Sequence, residues 1–143
     1  MELLLEIFNV AVYSVLGVVL MILGNFLIDL VVPCHFPTEI KKDNRAVGWV
    51  SAGSFIGIGI IMKAAVMSPV YENVKESLTN GIINTIIYFG IGVVFLIIGY
   101  LLIGLYNRKY NLNEEIGKGN ASAGIMIFGI FVGLAIVISG VIC

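Results

Sequence analysis

Four apolar stretches, residues 7 to 32, 46 to 67, 81 to 106 and 120 to 143, occupy most of the chain, and short polar connections separate them. Each is longer than the ~20 residues that a helix needs to cross about 30 Å of hydrocarbon, so the pattern predicts four transmembrane helices. Few ionisable residues fall inside these stretches. Asp29 lies near the end of the first and Lys63 near the end of the second, where a side chain can snorkel to water. The leader MELLLE carries Glu2 and Glu6 where a secretory signal has a cationic region, so the first span is expected to stay in the mature protein.

The connections differ in charge. Residues 33 to 45 carry Lys41, Lys42 and Arg45, and residues 107 to 119 carry Arg108, Lys109 and Lys118. The middle connection has Lys75 against Glu72 and Glu76. Basic residues collect on the cytoplasmic side, which places the first and third connections there and both termini outside the cytoplasm. Trp49, Tyr106 and Tyr110 fall near that boundary, as interfacial aromatics do. The middle connection, residues 68 to 80, has Ser68 as a candidate N-cap, Pro69 after it, and Val70, Val74 and Leu78 four apart. It reads as a short helix on the outer surface.

The two halves of the chain resemble each other. Residues 39 to 61 align with 115 to 137 at an offset of 76 with 9 identities in 23 positions, and residues 16 to 30 align with 91 to 105 at an offset of 75 with 8 in 15. Chance would not also keep Glu, Lys and Asn in register outside the apolar stretches. The expected architecture is an all-α membrane protein built as two tandem hairpins, 1–67 and 81–143, joined by 68–80. An even number of spans per copy gives both copies one orientation, which implies a pseudo-twofold axis along the membrane normal. In the second helix of each copy Ala46, Gly53, Gly57 and Ala64 match Ser122, Gly129, Gly133 and Gly140. At ~100° per residue each set occupies one face. The central pairs Gly53 with Gly57 and Gly129 with Gly133 form GxxxG stripes where backbones can approach, and Gly17 with Gly24 and Gly92 with Gly99 form related pairs.

Composition narrows the function. The chain is 59% hydrophobic and 12% charged, against about a quarter charged in soluble domains. Its net charge of -1 leaves no basic surface for nucleic acid. No G-x-S-x-G occurs, the single histidine has no second histidine to work with, and no span holds two carboxylates, so no catalytic residue is expected. Proton pumping is disfavoured for want of Asp, Glu or His at membrane depth. Cys34 and His35 are adjacent, but zinc takes four ligands, and the other cysteine, Cys143, ends the opposite side. No metal and no cofactor is expected. The polar residues Asn9, Ser14, Asn25, Ser51, Ser54, Asn84, Thr85 and Ser139 read first as bonds between neighbouring helices.

The candidate functional cluster is the doubled one: Glu39, Lys42 and Asn44 before the second span, and Glu115, Lys118 and Asn120 before the fourth. Both copies spell E-I-x-K-x-N. One reading is capping of the two helices by Asn44 and Asn120. The other is a pair of pseudo-symmetric cytoplasmic sites for a partner protein, an ion or a lipid headgroup.

The doubled E-I-x-K-x-N, each followed by a helix with G-x-F-x-G (Gly53 to Gly57 and Gly129 to Gly133), resembles the bacterial domain-of-unknown-function family 350, small four-span proteins made of two such hairpins. The resemblance covers almost the whole chain. It implies a prokaryotic cytoplasmic (inner) membrane and, in some members, a setting of envelope-stress genes, with no established reaction or catalytic residues. Arg45 departs from the second copy, which has Ala121. The expectation is a non-enzymatic scaffold or signalling component of the envelope. The alternative is a small channel or transporter. The expected partners are the lipid bilayer, further copies of the chain in a homo-oligomer and a cytoplasmic protein.

Overall fold

The computed structural model describes residues 1–68 and 78–142. In chain order its described α-helices are α1 (Glu2–Val31), α2 (Phe36–Lys41), α3 (Arg45–Met67), α4 (Leu78–Tyr106), α5 (Leu112–Gly117) and α6 (Ala121–Ile142). Of these, α1, α3, α4 and α6 are long and apolar enough to cross a membrane. At 1.5 Å per residue the 30 residues of α1 and the 29 of α4 each span about 45 Å, more than the hydrocarbon alone requires. Most of the middle connection, expected as a surface helix, lies outside the described residues, as does Cys143. Of its ends, Ser68 closes α3, donating its hydroxyl to the Ala65 carbonyl, and Leu78 belongs to α4.

The six-residue helices α2 and α5 were not expected. A single turn and a half is too short to register against the hydropathy of the flanking spans, yet each is tied down by an apolar first residue, Phe36 and Leu112, both buried. Each ends in a residue with left-handed backbone before the next span, Asp43 (φ 60) and Gly119 (φ 82). Glycine takes that conformation without steric cost and Asp is among the few other residues that tolerate it, so the chain turns by the same device before α3 and before α6.

Helix α3 is the centre of the bundle and packs against all five others. Its Val47, Val50, Ile58 and Ile61 join Phe89, Val93 and Leu96 of α4 and Ile127 and Phe131 of α6 in one buried cluster. Lipid tails are as apolar as these side chains, so close packing rather than escape from water holds the helices together. The tightest approach joins α3 to α6. A Cβ on Gly53 would lie 2.6 Å from the Phe128 Cα, and one on Gly57 would lie 3.1 Å from the Phe131 carbonyl oxygen. A Cβ on Gly124 would run into the backbone of Ala46. Within each hairpin, glycine again admits a large neighbour: Gly24 receives Ile58, and Gly99 receives Leu134.

Two expectations are corrected here. The small-residue stripes are not equivalent, because Gly53 and Gly57 are packed while a Cβ on Gly129, Gly133 or Gly140 would meet nothing within 4 Å. Nor does a pseudo-twofold axis describe how the halves meet. The α3 face carries Gly53 and Gly57, but the α6 face carries Gly124, Phe128, Phe131 and Ala135, which match Gly48, Ala52, Phe55 and Gly59 rather than the glycine stripe. In addition, α3 packs against α4 and α5, whereas α6 makes no comparable contact with α1 or α2 among the described residues. A twofold contact uses the same patch from both members, and this one does not.

Candidate functional site

The two polar clusters sit at the α2–α3 and α5–α6 turns, and their internal hydrogen bonds match. The Asn44 side-chain oxygen accepts from the Val47 N–H (3.2 Å), and that of Asn120 accepts from the Ser122 N–H (3.1 Å), so both asparagines cap their helices. The Asn44 amide donates to Glu39 Oε2 (3.0 Å), and the Asn120 amide donates to Glu115 Oε2 (2.8 Å). Lys42 Nζ lies 2.9 Å from Glu39 Oε1, and Lys118 Nζ lies 3.5 Å from Glu115 Oε1. The backbone N–H of each asparagine donates to the carbonyl of its glutamate, at 3.1 and 3.0 Å. In the motif E-I-x-K-x-N the asparagine and glutamate therefore close a hydrogen-bonded ring through the amide and the backbone N–H, with the lysine on the glutamate's other oxygen. The glutamate receives the donors that the cap does not use, and the lysine neutralises it.

These contacts favour the charged carboxylates. The Asn44 hydrogen bond, then that of Lys42, holds Glu39 below the ordinary carboxylate range. Glu115 is lowered chiefly by Asn120, with Lys118 adding to it. Lys118 is shared: its ammonium lies 2.7 Å from Glu114 Oε1, and this pairing raises its own pKa and lowers that of Glu114.

The surroundings of the two rings differ. The Asn44 amide also donates to the Ile116 carbonyl of α5 (3.0 Å), tying the first turn to the second half of the chain. The first ring thereby opens on a cleft of about 370 Å³ between the turns, lined by Glu39, Lys42, Asn44, Arg45 and Lys118. Glu115 and Asn120 line a separate cleft of about 440 Å³ with Leu112, Ser122 and Met126. The sequence-predicted residues thus sit in two unlike clefts, and Lys118 belongs with the first.

Asp29 was expected to snorkel. It is largely buried instead, and its Oδ1 accepts the Phe36 N–H (2.7 Å) at the start of α2, with the His35 ring 4.0 Å from Oδ2. The signal available in sequence was an acidic residue seven positions before an uncapped helix start with proline in its first turn. Cys34 is half-buried, and burial, followed by the charges of Glu39 and Asp29, raises its thiol pKa. Within the bundle Ser54 donates to the Asn25 side-chain oxygen across α1 and α3, and Tyr100 donates to Asn113 (2.9 Å) while stacking on Phe131. These polar residues act as bonds between elements. Trp49 meets Phe128 edge to face at a centroid distance of 5.6 Å.

The sequence model of the family described as Domain of Unknown Function (DUF350) matches residues 2–142. A UPF0719 transmembrane protein of Aquifex aeolicus (strain VF5) is 24% identical over 135 residues, which cover 94% of this chain and 49% of that protein. The chain thus spans about half the length of that relative. The UPF0719 transmembrane protein YshE of Bacillus subtilis (strain 168) is 26% identical over 134 residues, 94% of this chain and 92% of that one. No solved structure matches the chain.

Proposed function

We propose that this chain, which belongs to the DUF350 family, works as a non-enzymatic scaffold or signalling component of a bacterial envelope membrane, presenting its two polar turns to a cytoplasmic protein. It is a multi-pass transmembrane protein with bacterial relatives. The observation that carries the reading is the filled middle of the bundle. Backbone contact at Gly53 and Gly57 and the fully buried Val50, Ile58, Ile61, Leu96, Ile127 and Phe131 occupy the space a conduit would need. The charged groups collect instead at the turns, where Glu39, Lys42, Arg45 and Lys118 share one cleft. The excess of basic residues in both turns supports an orientation with that cleft in the cytoplasm and both termini outside, at the inner membrane. The matched hydrogen-bond rings and the matched Gly24–Ile58 and Gly99–Leu134 contacts support an origin by duplication of one hairpin.

The test has two arms. Purified protein in liposomes should leave ion and small-solute leakage at the level of empty vesicles, whereas selective flux would favour a channel or transporter. In cells, in-situ crosslinking should capture a cytoplasmic protein on the wild type and lose it on the Glu39→Gln, Glu115→Gln double variant, which keeps shape and removes charge. Equal capture by a normally folded double variant would return both clusters to capping alone.

A further inference from the structure

The halves of this chain differ in a complementary way. In the second hairpin, the surface turned toward α3 is buried, and its counterpart on the first hairpin is open. Ile116 is 0% exposed and Ile40, its equivalent, 49%, while Val93 is 1% exposed and Val18 58%. On the first hairpin the glycine face of α3 is buried, and its counterpart on α6 is open: Ile61 is 0% exposed and Val137, its equivalent, 66%. Hydrogen bonding follows the same rule. The Asn44 amide reaches the Ile116 carbonyl, whereas the Asn120 amide has Glu115 as its only partner among the described residues and makes no equivalent bond to the Ile40 carbonyl. Each hairpin carries one socket face and one plug face. Within the chain one socket receives one plug, which leaves a plug on the first hairpin and a socket on the second.

We propose that the open face of α6 and the cleft at Asn120 receive the first hairpin of another copy of this chain, through the same heterologous interface that joins the two hairpins within it. In that arrangement the neighbour's Gly48, Ala52 and Gly59 lie against Ser122, Gly129 and Gly133, its Ile40 enters the cleft of Leu112, Glu115 and Met126, and its Ile40 carbonyl takes the free hydrogen of the Asn120 amide. A head-to-tail contact of this kind repeats from copy to copy and yields a ring when the rotation closes. Both hairpins run the same way through the membrane, so every repeat of the contact keeps the orientation. The occupant is a second copy because the chain already displays the matching surface in its first hairpin. The inference rests on the duplication proposed above, and is independent of the choice between scaffold and conduit. Its failure would leave the matched contacts inside the chain untouched.

Disulfide trapping tests it with two pairs taken from two different internal contacts. A Cβ on Gly57 would lie 3.4 Å from the Ala135 Cβ, and one on Gly92 would lie 3.6 Å from the Ile61 Cβ, near the 3.5–4.5 Å usual for disulfides. The equivalent pairs between copies are Gly133 with Gly59 and Val137 with Gly17. Each cysteine is placed on a separately tagged chain, in a background with Cys34 and Cys143 changed to Ser, so that no intrachain bond can form between them. Oxidised membranes holding Gly133→Cys with Gly59→Cys, or Val137→Cys with Gly17→Cys, should give a linked heterodimer that neither variant gives alone. Self-linkage of Gly133→Cys would show a symmetric glycine-stripe dimer and overturn the proposal. Absence of linkage at both pairs, with variants that melt as the parent does, would mean that lipid covers the face, and would overturn it equally.

Discussion

Asn44 and Asn120 occupy the same place in the same motif, and their surroundings separate them. Each side-chain oxygen caps a helix, but only the Asn44 amide holds the Ile116 carbonyl as well. Losing a cap costs about 1 kcal/mol, and a further hydrogen bond is worth about 1 kcal/mol. In detergent melts, Asn44→Ala should lose about 2 kcal/mol and Asn120→Ala about 1 kcal/mol. Aspartate is no substitute for either residue although it caps well, because it would turn a donor into a carboxylate facing Glu39 or Glu115; serine should be the milder change at both positions. The same rings set a pH response. Glu39 and Glu115 are lowered below 4.5 in the folded protein, so their contribution is complete above the unfolded value and is lost as pH falls through the lower folded one. The melting temperature should hold steady from neutral pH to about 4.5 and fall below it. The Glu39→Gln, Glu115→Gln variant should show a shallower fall, which pH-dependent melting curves would measure.

At the scale of the helix, glycines at matching positions of the same G-x-F-x-G motif carry different loads. Gly53 allows α3 to touch the Phe128 backbone, and a side chain there has no flexible neighbour to displace. Gly53→Leu should therefore cost on the order of 1 to 3 kcal/mol or more as an overpacking change. Gly129→Leu meets open space within the chain and should leave the melting of the isolated protomer within ~0.5 kcal/mol of wild type, as surface changes do. Thermal unfolding of the two variants in detergent under conditions that keep the protein monomeric checks the pair. Equal losses would show that α6 uses its stripe inside the chain. Helices α2 and α5 also belong to this scale. Their apolar anchors, Phe36, Leu112 and Ile116, are legible only as isolated hydrophobic residues in polar connections. The α2 cap leaves only a non-local signal in the sequence, because Asp29 comes from the preceding helix and reaches the Phe36 N–H through the bend between them.

For the molecule as a whole, orientation is the property that most changes what the polar turns can meet. Six of the eight basic residues lie in the two connections that hold the α2–α3 and α5–α6 turns, which favours their retention in the cytoplasm. An impermeant maleimide added to intact cells should label Cys143 and reach Cys34 only after permeabilisation. Because Cys34 is half-buried with a raised thiol pKa, its labelling calls for mildly alkaline pH and a denatured control. The reverse order would place the clusters outside and end the proposal of a cytoplasmic partner.

Four spans, their all-α character and the doubled polar motif follow from local pattern, since lipid leaves a spanning backbone no choice but to bond within its own helix. The capping role of Asn44 and Asn120 is equally local: the residue type and the helix start lie side by side in the chain. The relation between the halves is not local. The two GxxxG stripes read alike, yet a helix of this composition can pack on any of several faces, and the choice rests on which large side chains oppose which glycines. Phe128 and Phe131 place the α6 contact on a face that α3 does not use in return, so the second stripe stays open and the second turn lacks the bond that the first one makes. The two hairpins read alike in sequence, and packing one against the other makes them unequal, because a heterologous contact uses a different face from each member.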